Sequence, residues 1–407
     1  MSLRFSALIL ASLGMACMAP AVVTTTPGTG PAITYSAGLN GAAIDPALPS
    51  RLDSIITAAI AGGVAPGAAV AVGRNGRIAY MRGYGRLDWH DSTSPPVDSA
   101  TLYDMASLTK VIATTTAAMA MEEANLLDIE LPVSSYLPEL NAPDKAGITV
   151  RHLLIHRGGL EAFAALYKTF RGREQYMQQI NERPSKYAPG AQMIYSDWDL
   201  ILLQLILEKL SGRTLDTLVN ERVFQPLGMA DTRYQPPAEW KNRVAPTEVD
   251  STRGGLVWGI VHDENAWALG GVAGHAGLFS TARDLSVFAQ MMLNGGEYNG
   301  TRILRPATIA RWTSRQGKET SRALGWDTPS KNSSAGRYFS PRSFGHTGFT
   351  GTSIWIDPEK NLFVILLTNR VNPTRENAKH VPLRRAVADA VQEAALGAPL
   401  IDWEARQ

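Results

Sequence analysis

Cysteine is almost absent: Cys17 stands alone among 407 residues. No internal disulfide can form, and the fold must be held by its core. Surplus charge is missing as well. Lysine and arginine number 39 against 37 acidic residues, a net charge of +2, which gives no electrostatic footprint for nucleic acid or an anionic membrane. There is no block of like charges, no low-complexity stretch and no fixed-period repeat. Beyond residue 20 no run approaches the roughly 18 apolar residues of a spanning helix. The best candidate, Leu200 to Leu207, is interrupted by Gln204, ends at Glu208-Lys209 and reads as a buried core helix. Also missing are a Gly-x-Ser-x-Gly elbow, a phosphate-binding glycine loop and a dinucleotide fingerprint. His152 and His156 have the four-residue spacing of a zinc helix, but Leu153 stands where His-Glu-x-x-His needs glutamate. No metal and no cofactor are expected.

What is present begins at the N-terminus. Arg4 precedes the short apolar run Phe5 to Leu13, and small residues follow around Ala16-Cys17. This pattern predicts a secretory signal over residues 1–19 and an exported protein, periplasmic or in the cell envelope. Cys17, just after the apolar run, suits lipid attachment and anchoring to a membrane. Gly14, three places before it, is not the Leu, Val or Ile usual there, so plain secretion and an uncleaved anchor stay open. Residues 20–46, rich in Pro, Thr, Gly and Ala, predict a flexible tether. Residues 47–400 then hold one globular domain, at 45% hydrophobic and 19% charged residues overall.

Leu48 to Ala61 has helical spacing and stops at Gly62-Gly63. Ala68–Val72 and Ile78–Tyr84 read as a hairpin turned by Arg74-Asn75-Gly76, because Asn-Gly accepts the positive φ angles of a tight turn. From about 105 to 300 the pattern is mainly helical, with helices expected at 107–125, 149–157, 199–211, 214–224 and 282–294. Ser353–Ile356 and Leu362–Thr368 form a second hairpin, and 375–395 a closing amphipathic helix. Strands at both ends with helices between them predict an α+β fold. In it an antiparallel sheet from the N- and C-terminal segments is flanked by helices and carries an inserted helical lobe. The cleft between lobes suits a ligand.

Three short motifs bear chemistry. Ser107-Leu108-Thr109-Lys110 puts a hydroxyl and an ammonium on one helix face, where the cation can ease deprotonation of the serine. A helix start also offers free N–H groups to a developing negative charge. Tyr195-Ser196-Asp197 follows Pro189-Gly190 and precedes a helix, so Tyr195 can reach the cleft as a proton-transfer group. His346-Thr347-Gly348 lies on a strand ending in small residues, alongside which a substrate can lie. The N–H of Phe349, with that of Ser107, could form an oxyanion hole. Read singly, each has a plainer explanation: Ser107 as a helix cap, Tyr195 as packing, Asp197 as an N-cap, His346 as a satisfied histidine.

In this order the three motifs resemble the serine β-lactamase and penicillin-binding-protein superfamily. The likeness extends over most of 48–395, through Arg151 to Leu160, Pro226-Leu227-Gly228-Met229, Gly274 to Leu278 and Phe344 to Thr352. It is most similar to the class C β-lactamase-like branch, which also holds carboxylesterases, D-amino-acid peptidases and amide hydrolases. The resemblance implies a β-lactamase/transpeptidase-like fold, with Ser107 as an acylated nucleophile, Lys110 as its activator and Tyr195 as general base. Asp197, His346, Thr347, Gly348 and Phe349 would meet the substrate, a small ester, amide or peptidoglycan-type molecule. Good β-lactam hydrolases usually carry Lys and Asn where His346 and Asp197 stand. A neutral His346 gives no cation for a substrate carboxylate, and Asp197 cannot donate to an acyl-amide carbonyl. An esterase or amidase is therefore expected ahead of a D-alanyl-D-alanine carboxypeptidase, a β-lactamase or a non-catalytic penicillin-binding sensor. Arg370, just after the last strand, could return a positive charge.

Overall fold

The computed structural model describes residues 34–35, 39–89 and 93–405. The signal expected over 1–19, with Cys17, and the tether up to residue 33 lie outside the described residues. One six-stranded sheet organises the chain. Its strands are β1 (Thr34–Tyr35), β2 (Gly67–Arg74), β3 (Arg77–Gly85), β4 (Phe344–Thr347), β5 (Ser353–Asp357) and β6 (Leu362–Thr368). Their spatial order is β1-β3-β2-β6-β5-β4, antiparallel throughout except for β1 on β3. The two hairpins arise from local chemistry. Asn75 and Gly76 both take positive φ at the β2–β3 turn, and so does Asn361 before β6.

Strands β2 and β6 pair at the centre and are buried along their whole length. Their side chains alternate between two cores. Ala68, Val70, Val72, Leu362, Val364 and Leu366 pack with helices α1 (Leu48–Ala61) and, at the C-terminal end, His380–Glu393. Ala69, Ala71, Phe363, Ile365 and Leu367 face the other way, into the core of the inserted lobe. Burial on both faces is why these strands read as unbroken apolar runs.

The lobe is mostly helical, including α2 (Thr116–Glu123), α3 (Asp197–Ser211) and α4 (Ala282–Leu293), followed in chain order by α5, the helix His380–Glu393. It also holds a small sheet of Tyr103–Asp104, Leu278–Ser280 and Arg233–Tyr234. The helix expected over 149–157 ends at Leu154, and the one expected to begin at 375 begins at His380. Among the described residues no helix is long and apolar enough to cross a membrane; the 200–207 run lies within α3, with all but Leu205 buried.

The tether expected over 20–46 gives way to packed chain earlier than that. Thr34–Tyr35 pairs with β3, Leu39–Ala42 makes a 3-10 turn, and Ala42 and Ile44 are fully buried. Ile44 bridges to Ala395, while Arg74 donates to the carbonyls of Ala43 and Leu396. Burial of an isoleucine contributes roughly 1.5–3 kcal/mol, enough to offset the ordering of one or two residues at about 1–2 kcal/mol each. Composition alone hides this, because two apolar side chains among Gly and Ala do the anchoring.

Candidate active site

Ser107 sits on a clamped turn. Asp104, buried at the end of its strand, accepts the N–H of Ala106 at 2.8 Å and of His262 at 2.6 Å. Ala106 is thereby held in the left-handed region at φ 45°, a conformation that costs an alanine about 1–2 kcal/mol. From the β4–β5 connection, Thr350 donates to the carbonyl of Asp104 at 2.7 Å and Thr352 to that of Met105 at 3.1 Å. Gly348 lies so close that a Cβ there would be 2.4 Å from the Met105 carbonyl oxygen, so the substrate strand and the serine turn are locked together. Among the described residues no acceptor takes the N–H of Ser107 or of Phe349. Both are left without an acceptor in residues that line the same clefts, as an oxyanion hole requires.

Lys110 is fully buried and its ammonium has three acceptors. Nζ donates to Ser107 Oγ at 2.9 Å, to Asp197 Oδ1 at 2.7 Å and to the carbonyl of His275 at 3.1 Å. Burial works against the cation, but Asp197 and then Tyr195 outweigh it and hold the lysine above its ordinary pKa. The helix widens to a π-turn over Lys110–Thr115, a departure from α geometry common at functional sites. Ser196, not Asp197, caps α3, accepting the N–H of Trp198 at 3.2 Å. Asp197 is the first residue of the helix, where its carboxylate suits the dipole. The ring of Tyr195 lies 4.9 Å from Lys110 Nζ, and its hydroxyl is buried without a hydrogen-bond partner.

The strand side brings a cation that the motifs did not contain. His346 donates from Nδ1 to the Thr347 carbonyl at 2.8 Å, leaving Nε2 to face Arg322 at 3.5 Å. Burial, then Arg322 and Lys110, keep the ring well below the usual histidine pKa, so it is neutral. Arg322 also lies 5.2 Å from the centre of the Tyr195 ring. A cleft of about 450 Å³ runs from Ser107 and Tyr195 past His346, Thr347 and Gly348 to Arg322, Arg370 and Arg384. Arg384 donates to the carbonyls of Gly348 at 2.6 Å and Thr352 at 2.8 Å, and burial lowers its pKa to about 9, still a cation at neutral pH. The Nε atoms of Arg322 and Arg384 and Nδ1 of His380 are buried without partners. Arg370, the cation proposed from sequence, also lines this cleft, with Nε and Nη1 donating to the carbonyls of Phe349, Arg375 and Asn377. The argument for uncharged substrates rested on His346 and Asp197 together; Arg322 answers the first half by placing a cation beside His346, and Asp197 still cannot donate.

On the opposite side of Ser107, Asp197, Asp263 and Glu264 line a smaller cleft of about 290 Å³ with Phe163 and Phe349. Ligand atoms of Asp197, Asp263 and His275 come within 4.8 Å of one another, a spacing a cation could bridge. Lys110 already fills that place for Asp197, and Asp263 pairs with His275 at 2.9 Å. The His152–His156 pair forms no shared site. His152 closes a capping box with Thr149, whereas His156 meets Asp199 at 3.0 Å behind Tyr195.

All eight residues singled out from sequence line these two clefts, apart from Lys110, which is buried beneath Ser107. Sequence reasoning missed Asp104, Asp199, Arg322 and Arg384. Asp199 falls two residues after Asp197 and the phrase around His156 was noticed, so a signal existed there. Arg322 lies in an irregular polar stretch that carries none.

Residues 52–389 match the β-lactamase family pattern. Two Escherichia coli proteins provisionally named D-alanyl-D-alanine carboxypeptidases are similar. The O157:H7 protein is 32% identical over 75% of this chain and 78% of its own; the K12 protein is 33% identical over 73% and 76%. Among solved structures, a class C β-lactamase superposes with TM-score 0.70 at 19% identity, covering 87% of this chain and 98% of that one. EstCE1, a hydrolase with promiscuous acyltransferase activity, superposes with TM-score 0.67 at 23% identity, covering 85% and 98%. With the fold, the three motifs and these relatives in agreement, the chain belongs to the β-lactamase family and is a serine hydrolase of that fold.

Proposed function

We propose that Ser107 is acylated by a small substrate bearing a carboxylate on its leaving side, in the manner of a carboxypeptidase, and that water then releases the acyl group. The observation that carries the acylation step is the Lys110 ammonium, bonded at once to Ser107 Oγ and to Asp197. Held as a cation, Lys110 stabilises the serine oxygen as it loses its proton. Tyr195 acts as the relay. It accepts the Ser107 proton while passing its own to the leaving nitrogen or oxygen, as the new C–O bond forms and the old bond breaks. The carbonyl oxygen gathers charge against the N–H groups of Ser107 and Phe349. Arg322, with Arg384 nearby, lines the cleft and offers a guanidinium charge to the carboxylate.

The leader read over 1–19 supports an exported location, where peptidoglycan-type peptides occur, and the names of the two similar Escherichia coli proteins support the same substrate class. One observation favours plain esters instead: Asp197 stands where a donor to an acyl-amide carbonyl is usual, and its own Oδ1 is taken by Lys110. The full chain should be given an N-acyl peptide ending in D-Ala-D-Ala, the same peptide as its C-terminal amide, and p-nitrophenyl acetate. The proposal expects Ser107-dependent release of D-Ala, at least about 10-fold faster than from the amide, since a charged hydrogen bond contributes roughly 1.5–3 kcal/mol. Arg322→Ala removes that preference and spares the ester. Equal rates on acid and amide peptides, with faster ester turnover, make the protein a carboxylesterase.

A further inference from the structure

Behind Tyr195 lies a second titratable pair that the reaction above does not use. His156 and Asp199 are both fully buried, and both carry a polar atom without a partner, Nε2 on the ring and Oδ1 on the carboxyl. Each such orphan costs about 1–3 kcal/mol, which an apolar pair of the same volume would avoid. Structural cost of this kind calls for a reason.

His156 holds the chain on either side of Tyr195. Its carbonyl accepts the N–H of Ile194 at 3.1 Å, and its Nδ1 accepts the N–H of Ser196 at 3.3 Å. Its ring lies 4.5 Å from the Tyr195 ring, tilted by 49°. His156 itself is turned into the left-handed region at φ 57°, which aims its side chain back at α3. Asp199 closes the arrangement with Oδ2 at 3.0 Å from Nδ1. Gly158 makes room for that carboxyl, since a Cβ there would stand 2.7 Å from Oδ1.

We propose that His156 is a positioning residue for Tyr195, and that Asp199 serves it as a protonated carboxyl, donating to Nδ1 rather than pairing with an imidazolium. Two facts about the site favour this protonation. Nδ1 already faces the Ser196 N–H, so it presents a lone pair and not a proton. Burial, reinforced by Asp197, drives the Asp199 pKa well up, while burial, Arg322 and Lys110 drive that of His156 well down. A neutral ring also spares Tyr195 a further cation beside Lys110 and Arg322.

The inference rests on the role given to Tyr195, which Tyr195→Phe tests separately: wild-type turnover by that variant removes the relay whatever His156 does. His156→Ala, His156→Asn, Asp199→Ala and Asp199→Asn should be compared in the full chain for kcat, KM and thermal midpoint on one substrate. His156→Ala is expected to lower kcat about 10- to 100-fold, the penalty of a small misplacement, with KM changed less than about 3-fold. His156→Asn should recover most of it, because its carboxamide oxygen can accept the Ser196 N–H and Asn tolerates positive φ. Asp199→Asn should stay within about 3-fold of wild type, its amide N–H replacing the carboxyl O–H, whereas Asp199→Ala should resemble His156→Ala. Wild-type kcat in a less stable His156→Ala, or no recovery in a folded His156→Asn, overturns the positioning role. Asp199→Asn as impaired as Asp199→Ala overturns the protonated carboxyl.

Discussion

The first turn of α3 carries two acidic side chains, Asp197 and Asp199, that meet different partners around the Tyr195 segment. Asp197 is 19% exposed at its side chain and bonds the Lys110 ammonium at 2.7 Å. Asp199 has no exposure and faces a histidine that burial keeps neutral. A lysine can keep its proton in the interior when a carboxylate and two further acceptors surround it; a histidine among cations cannot. One pair therefore supplies charge to the reacting serine and the other supplies shape without charge, though the two acids are two residues apart on the same turn.

The largest effect expected from that contrast follows loss of the lysine. Lys110→Met leaves the Asp197 carboxylate in place with neither its cation nor the serine contact. It should reduce kcat/KM by about 10³-fold or more and lower stability by about 3 kcal/mol in urea unfolding. The low end of the buried-pair range applies because Asp197 is partly exposed. A loss below about 1 kcal/mol would mean that solvent screens the pair.

Next comes exchange of the charge alone. In Lys110 burial is the largest influence and acts downward, with Asp197 opposing it. Asp197→Asn removes the opposition, so the lysine pKa falls and the alkaline limb of the kcat/KM profile should move toward neutral pH. The matching Asp199→Asn exchange should leave that limb where it was. Equal movement in both variants would erase the difference between the two acids.

The smallest effect concerns stability in acid. Burial, then Arg384 and Arg370, lower the His380 pKa to about 3, and His156 is lowered by burial in the same direction. A lowered folded pKa gives stability that is full above the unfolded value near 6.5 and lost as pH falls through the folded value. Thermal midpoints should thus decline from about pH 6.5 downward, and His380→Asn should flatten part of that decline. An unchanged slope in the variant would assign the decline to other groups.

Local chemistry made much of this legible from sequence. Asn75-Gly76 announces its turn, the unbroken apolar runs of β2 and β6 mark strands covered on both faces, and Ser107 with Lys110 needs only one helical turn to meet. What stayed hidden depends on partners distant in the chain. Arg322 reaches His346 from an irregular segment, Asp104 ties the serine turn to the distant His262 N–H, and Ile44 anchors a stretch whose composition reads as coil. His156 shows the limit most clearly. Its four-residue spacing from His152, already set aside as a metal pair for want of a glutamate, gave no hint of its actual partner: the helix ends at Leu154 and the left-handed φ at His156 turns the ring to Asp199.

The central claim, acylation of Ser107, is tested most directly by mass spectrometry of the full chain mixed with an N-acyl depsipeptide ending in D-Ala-D-lactate and quenched in acid within the first turnover. The account predicts an adduct with the mass of the acyl group on the peptide containing Ser107, absent in Ser107→Ala. An adduct on another residue, or undiminished turnover by Ser107→Ala, would contradict it.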